Sequence, residues 1–153
     1  MANIPYYQQK DIENIKKLRE MMKELPPFCT EFFRGIEPRT STRTRIAYAY
    51  DLSVFFDFLK KENPVFAKME RMDFQLEQLD QITVTDLEEY MEYLKYRFNE
   101  QNHEIMNQER GIMRKISSLK SFYNYFFRTE KLATNPAALV RLPKLHDKVR
   151  MLR

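Results

Sequence analysis

Only two glycines, Gly35 and Gly111, serve the whole chain, and no Asn-Gly or Asp-Gly pair exists to turn a tight hairpin. A large antiparallel sheet is therefore not expected. Seven prolines instead cut the sequence into blocks, and within the blocks apolar residues recur at three- and four-residue steps, the spacing of an amphipathic helix. Since 43% of the 153 residues are hydrophobic, there is enough apolar mass for a packed core, and the expected fold class is all-α.

The blocks follow in order. Ile12, Ile15, Leu18, Met22 and Leu25 mark an amphipathic helix from Lys10 to Leu25 that Pro26-Pro27 must end. A short helical piece through FCTEFFRGI precedes Pro38. Thr40-Ser41-Thr42 is a cluster of N-cap candidates for a long helix reaching Asn63-Pro64, with Tyr48, Leu52, Phe55 and Leu59 on one stripe and Phe58 beside it. Residues 64 to 82 read as a loop with at most one helical turn, anchored by Phe66 and Phe74. Thr83 and Asp86 have capping-box spacing, and the helix they open is expected to end near Asn99, carrying Glu88, Glu89 and Glu92 outward and placing Arg97 on its last turn. The next helix spans about Ile105 to Arg128, with Ile112, Ile116, Leu119, Tyr123 and Phe126 inward and Phe127 also assigned to the core. Asn135-Pro136 then starts a short closing helix that Pro143 stops. Cys29 has no second cysteine to pair with and sits in an apolar context, so it reads as a small buried hydrophobe.

Charge is unevenly distributed. Residues 1–38 balance, 39–63 carry a net +2, 64–104 a net −6 and 105–153 a net +8. A basic C-terminal third beside an acidic middle points to a polyanion on one side of the molecule, with nucleic acid the leading candidate. Enzyme chemistry finds little support. His103 and His146 stand alone, no phosphate-cradling loop or nucleophile elbow is present, and the adjacent glutamates do not converge on a point. No cofactor, metal or small-molecule substrate is expected.

Two basic, hydroxyl-rich helix faces remain. The first opens TSTRTR, setting Ser41, Thr42, Arg43, Thr44 and Arg45 at a helix N-terminus that already favours an anion. The second combines Arg110, Arg114, Ser117, Ser118, Ser121 and Arg128, with Lys115 and Lys120 flanking, and no acid occurs between Glu109 and Glu130. Such a face is slim enough to approach a groove and can contact phosphates and base edges.

The residues also resemble a known family. Thr44, Tyr48, Asp51-Leu52, Phe55 and Phe58-Leu59, then Leu79, Ile82-Thr83, Asp86-Leu87, Tyr90 and Leu94, then the run Arg114 to Tyr123, then Asn135-Pro136 and Leu142-Pro143-Lys144 look like the core-binding domain of tyrosine recombinases, the phage-integrase and Xer group. The resemblance covers about residues 40 to 145. It implies a SAM-like bundle of four or five helices forming half of a clamp around duplex DNA, with the helices equivalent to 41–62 and 107–128 facing the major groove. The family's chemistry lies in a separate C-terminal domain, which this chain is expected to lack, so no catalytic residue carries over and the fragment is expected not to be an enzyme.

The reading divides the chain into an N-terminal helical extension (1–38), a core-binding domain (39–145) and the start of a linker to a catalytic domain (146–153). Its expected partners are double-stranded DNA and neighbouring recombinase protomers, with no membrane. The alternative is a helical protein-interaction module whose helix 10–25 docks in a partner's groove. No stretch approaches the roughly 18 apolar residues of a membrane span, and MANIPYYQQKD lacks the pattern of a signal peptide, so a cytoplasmic location is expected.

Overall fold

A computed structural model describes residues 4–142. Six α-helices order the chain: α1 (Tyr6–Lys23), α2 (Cys29–Ile36), α3 (Thr42–Glu62), α4 (Pro64–Ala67), α5 (Val84–Lys95) and α6 (Glu109–Arg128), with a two-stranded hairpin, β1 (Arg97–Phe98) and β2 (Glu104–Ile105), between α5 and α6. 3-10 segments lie at Glu37–Arg39, Arg71–Asp73, Leu76–Gln81 and Pro136–Leu139, so residues 64–82 hold more than the one helical turn expected there. The all-α expectation is met, and among the described residues no helix is long and apolar enough to cross a membrane. Pro143, Lys144, His146 and the linker start at 146–153 lie outside the described residues.

α1 begins directly after Pro5, four residues earlier than the apolar spacing suggested, because a proline can stand at the mouth of a helix. It packs along α3 and buries Leu18, while Ile12 stays 42% exposed. α2 turns Cys29, Phe32, Phe33 and Ile36 inward. Phe32 meets Phe122 edge-on at 5.3 Å and Tyr48 at 6.0 Å, so α2 shares one core with the later helices. Gly35 is required there: a Cβ at this position would run into the Tyr125 ring. Cys29 is buried, as expected, and burial pushes its thiol up.

Local chemistry sets most boundaries. The Ser41 side chain accepts from the Thr44 N–H at the start of α3. Asn63 ends α3 and caps α4 by accepting from the Val65 N–H at 2.9 Å. Phe66 and Phe74 pin the following segment through a ring contact at 4.7 Å. Thr83 and Asp86 form the reciprocal capping box of α5. Asn135 accepts from the Ala138 N–H, but the closing helix is only the 3-10 turn Pro136–Leu139.

Four expectations are corrected. α5 stops at Lys95, not near Asn99: Tyr96 is extended and the chain turns back through the hairpin. Asn102, at φ 62°, supplies the left-handed residue that a glycine would usually provide, and Asn99 Oδ1 accepts from the His103 N–H. Arg97 consequently sits in β1, only 7% exposed, instead of on the acidic helix. α6 starts at Glu109, since 104–105 belong to the hairpin, and Phe127 is 45% exposed while Tyr123 and Phe126 are fully buried.

Candidate nucleic-acid interface

α3 and α6 lie side by side in opposite senses. Tyr48 approaches Ser121 at 3.5 Å between oxygens, and three residues further along α3 Asp51 meets residues 114 to 118 of α6. Their outer surfaces therefore form one continuous face, with the start of α3 beside the end of α6. The two basic faces that the sequence marks separately come together here.

Not every marked residue reaches that face. Arg45 is buried: its guanidinium donates to the carbonyls of Glu37 and Thr40 at 3.2 and 2.7 Å and to the hydroxyls of Thr40 and Thr42. It thereby ties the turn Glu37–Arg39 to the first turn of α3 and is unavailable to a ligand. Thr42 is buried with it, one helical turn away on the same side. Ser41, Arg43 and Thr44 remain exposed, although the Ser41 side chain serves the cap.

On α6 the split is similar. Lys115 and Ser118 are buried at 2% and 3% exposure. Both serve Asp51, itself 2% exposed: the Ser118 hydroxyl donates at 2.7 Å and the Lys115 ammonium at 3.2 Å. Burial pushes the Lys115 ammonium below its ordinary range, with the Asp51 carboxylate opposing. Its Nζ also lies 4.8 Å over the Tyr50 ring. Lys120 is half-buried and donates to the carbonyls of Ala137 and Val140, each at 2.8 Å, so it fastens the closing turn. The residues left facing outward are Arg110, Arg114 and Ser117, with Ser121 half-buried. Arg114, its side chain 60% exposed, keeps one nitrogen 3.4 Å from Asp51 and turns the rest of its fork to solvent.

The structure adds residues that the candidate set omitted. Where α3 begins and α6 ends, a 330 Å³ cleft is lined by Arg39, Thr40, Tyr48, Ser121, Asn124 and Arg128. Arg128 stacks over Tyr125 at 5.7 Å. Arg39 precedes the N-cap cluster, and Asn124 lies at helical spacing from Ser121 and Ser117, so a wider window on each helix would have found both. The outcome is a face bearing Arg39 and Arg128 together at one end and Arg114 and Arg110 toward the other, with hydroxyl and amide groups between, while Arg43 lines a separate cleft with Tyr6, Tyr7 and Lys10 of α1. Among the described residues no group of His, Cys, Asp and Glu could hold a metal ion.

Comparison with known proteins matches residues 24–142 to the phage integrase SAM-like domain. The chain is 36% identical over 127 residues to the tyrosine recombinase XerC of Caldanaerobacter subterraneus subsp. tengcongensis, a match covering 78% of this chain and 35% of the relative. It is 32% identical over 114 residues to the XerC of Anoxybacillus flavithermus, covering 74% of this chain and 31% of that protein. For the XerC of Chlorobaculum tepidum the figures are 30% over 143 residues, 94% and 36%. The matches thus span about a third of these curated relatives' length. No solved structure matches the chain.

Proposed function

The chain belongs to the phage integrase SAM-like domain family, and on that premise we propose that it is the duplex-DNA-binding part of a site-specific tyrosine recombinase, acting in DNA integration and recombination beside neighbouring protomers. Cleavage and rejoining of strands fall to a catalytic domain outside these residues. The observation that carries the reading is the joined α3–α6 face, where Arg39, Arg110, Arg114 and Arg128 are exposed, with exposed Arg43 toward α1. Arginines spread over two neighbouring helices fit a rod of regularly spaced phosphates better than they fit a compact ligand. Phosphate contacts supply affinity and orientation, while Ser117, Ser121 and Asn124 between them supply donors and acceptors at the height of base edges.

The alternative of a protein-docking α1 finds less support, since Leu18 is already buried and Met22 packs against the core. Fluorescence anisotropy with duplex DNA across a salt series tests the reading. Ala at Arg110 or Arg114 should leave folding intact and, for a phosphate contact, lower the salt slope by about one unit. Arg97, buried in the hairpin, is unsuitable as a background cation, and exposed Lys68 after α4 serves instead. Should Lys68→Ala weaken binding as much as Arg114→Ala, the attraction is diffuse charge and the groove-facing helix is refuted.

A further inference from the structure

Between α3 and the hairpin lies a 210 Å³ cleft whose lining includes Tyr50, Ser53, Asp57, Lys61, Tyr93 and Arg97. Two cations, Lys61 and Arg97, and two carboxylates, Asp57 and Glu100, line it, and Arg71 behind them adds a third cation. Asp57 is committed to Arg71, whose Nη1 lies 2.8 Å from its carboxylate, and Glu100 at the rim reaches the same nitrogen at 3.8 Å. Arg97 is 7% exposed, and its guanidinium donates to Asn107 Oδ1. No carboxylate oxygen lies within 4.0 Å of Arg97 or Lys61 among the described residues. Asp57 is near enough to feel both cations but is bonded to Arg71, so the Arg97 guanidinium has no carboxylate in contact and keeps N–H groups beside open space that an anion could fill.

The remaining donors surround that space. Lys61 donates to the Phe98 carbonyl at 3.1 Å and holds the hairpin against α3, leaving two further N–H groups. The Ser53 oxygen already accepts from Arg71 Nη2 at 3.2 Å, so its own proton is free to donate inward. The Tyr93 hydroxyl, protonated at neutral pH as any tyrosine is, adds a further donor. Two cations that no carboxylate contacts directly, with hydroxyls on separate walls, suit a tetrahedral oxyanion better than a planar carboxylate.

We propose that this cleft is an oxyanion site for one phosphate group, held by Arg97 and Lys61. The phosphate is either free in solution or part of a duplex backbone. Tyr50, which lines the cleft, also lies under Lys115, so the site adjoins the α3–α6 face. The site itself does not depend on duplex binding, so the two readings fail separately.

The test is a titration of the full chain with inorganic phosphate, followed by amide NMR shifts, with chloride holding ionic strength constant. Saturable shifts confined to residues 97–101 and Asn107 are expected, and Lys61→Gln should weaken the affinity about tenfold through loss of one charge-assisted contact. Arg97→Lys should retain binding and Arg97→Gln abolish it. If Arg97→Gln fails to fold, exposed Lys61 still carries the test. Shifts that never saturate or spread over the surface would overturn the site, as would a Lys61→Gln titration matching the parent's. A second arm adds duplex. If a backbone phosphate fills the cleft, Lys61→Gln lowers the salt slope by about one unit; if free phosphate does, duplex affinity is unchanged by the variant. Absence of any duplex binding would sink the functional reading and leave the oxyanion site standing.

Discussion

Replacing Lys115 by Met tests the central packing of the proposed interface. Asp51 receives Ser118 at 2.7 Å, Lys115 at 3.2 Å and Arg114 at 3.4 Å. Met keeps most of the side-chain volume and removes the cation, so the variant isolates charge from packing. Breaking a buried pair by deleting one partner costs about 3 to 5 kcal/mol, because the remaining charge is left without its counter-charge. Ser118 and part of Arg114 still serve Asp51, which puts the expected loss at the low end, about 3 kcal/mol. For a chain of this size that lowers Tm by roughly 6 to 12 °C. Removing both charges in Asp51→Asn with Lys115→Met should cost less than the sum of the single changes. Urea unfolding followed by far-UV circular dichroism gives all four corners of the cycle. The depressed lysine adds a pH signature. The unfolded chain binds more protons than the native state below the ordinary lysine value of 10.5, so the parent gains stability over Lys115→Met as pH rises toward it. If Lys115→Met instead unfolds like the parent while duplex affinity drops, the lysine faces the ligand and the buried pairing with Asp51 is wrong.

Other outcomes follow from burial and bonding. Phe55 and Leu119 are each 1% exposed, so Ala at either should destabilise by about 2 to 5 kcal/mol in the same urea assay, and parent-like unfolding would mean the core is misassigned. Arg45→Met strips the Thr40 carbonyl of its side-chain donor and should cost about 1 to 3 kcal/mol with little change in salt slope; a stable variant with a reduced slope would return Arg45 to the binding face. Deleting residues 1–23 should leave a folded protein by amide NMR dispersion, since Leu18 is the one residue α1 buries fully and Met21 and Met22 are only partly buried. Deleting residues 1–38 should abolish folding, because Leu25, Cys29, Phe32, Phe33 and Ile36 leave the core, and a well-dispersed spectrum would refute a shared core.

The comparison between sequence and structure separates local from distant causes. The Thr83–Asp86 capping box and the Ser41 cap are legible because each is complete within four residues. The burial of Lys115 is not, because its partner Asp51 lies 64 residues away and helix periodicity places Lys115 only on the flank of the apolar stripe. The burial of Arg45 is hidden for the same reason: an arginine at a helix start looks like an anion site until the preceding turn folds back to occupy it. The hairpin is not legible in the sequence because Asn102 takes the positive φ usually signalled by glycine. Arg97 moved with it from a solvated helix to a buried strand.

The grip of Lys120 on Ala137 and Val140 has a mechanical side. Asp80, ahead of α5, holds the amides of Ala133 and Thr134 through its carboxylate, so the stretch after α6 is clamped at two points by opposite charges. One clamp is rooted in α6 itself. The heading on which the chain reaches Leu142 is thus geared to the axis of α6, so the closing turn and the helix move as one lever. Lys120→Met disengages the gear while leaving the exposed arginines in place.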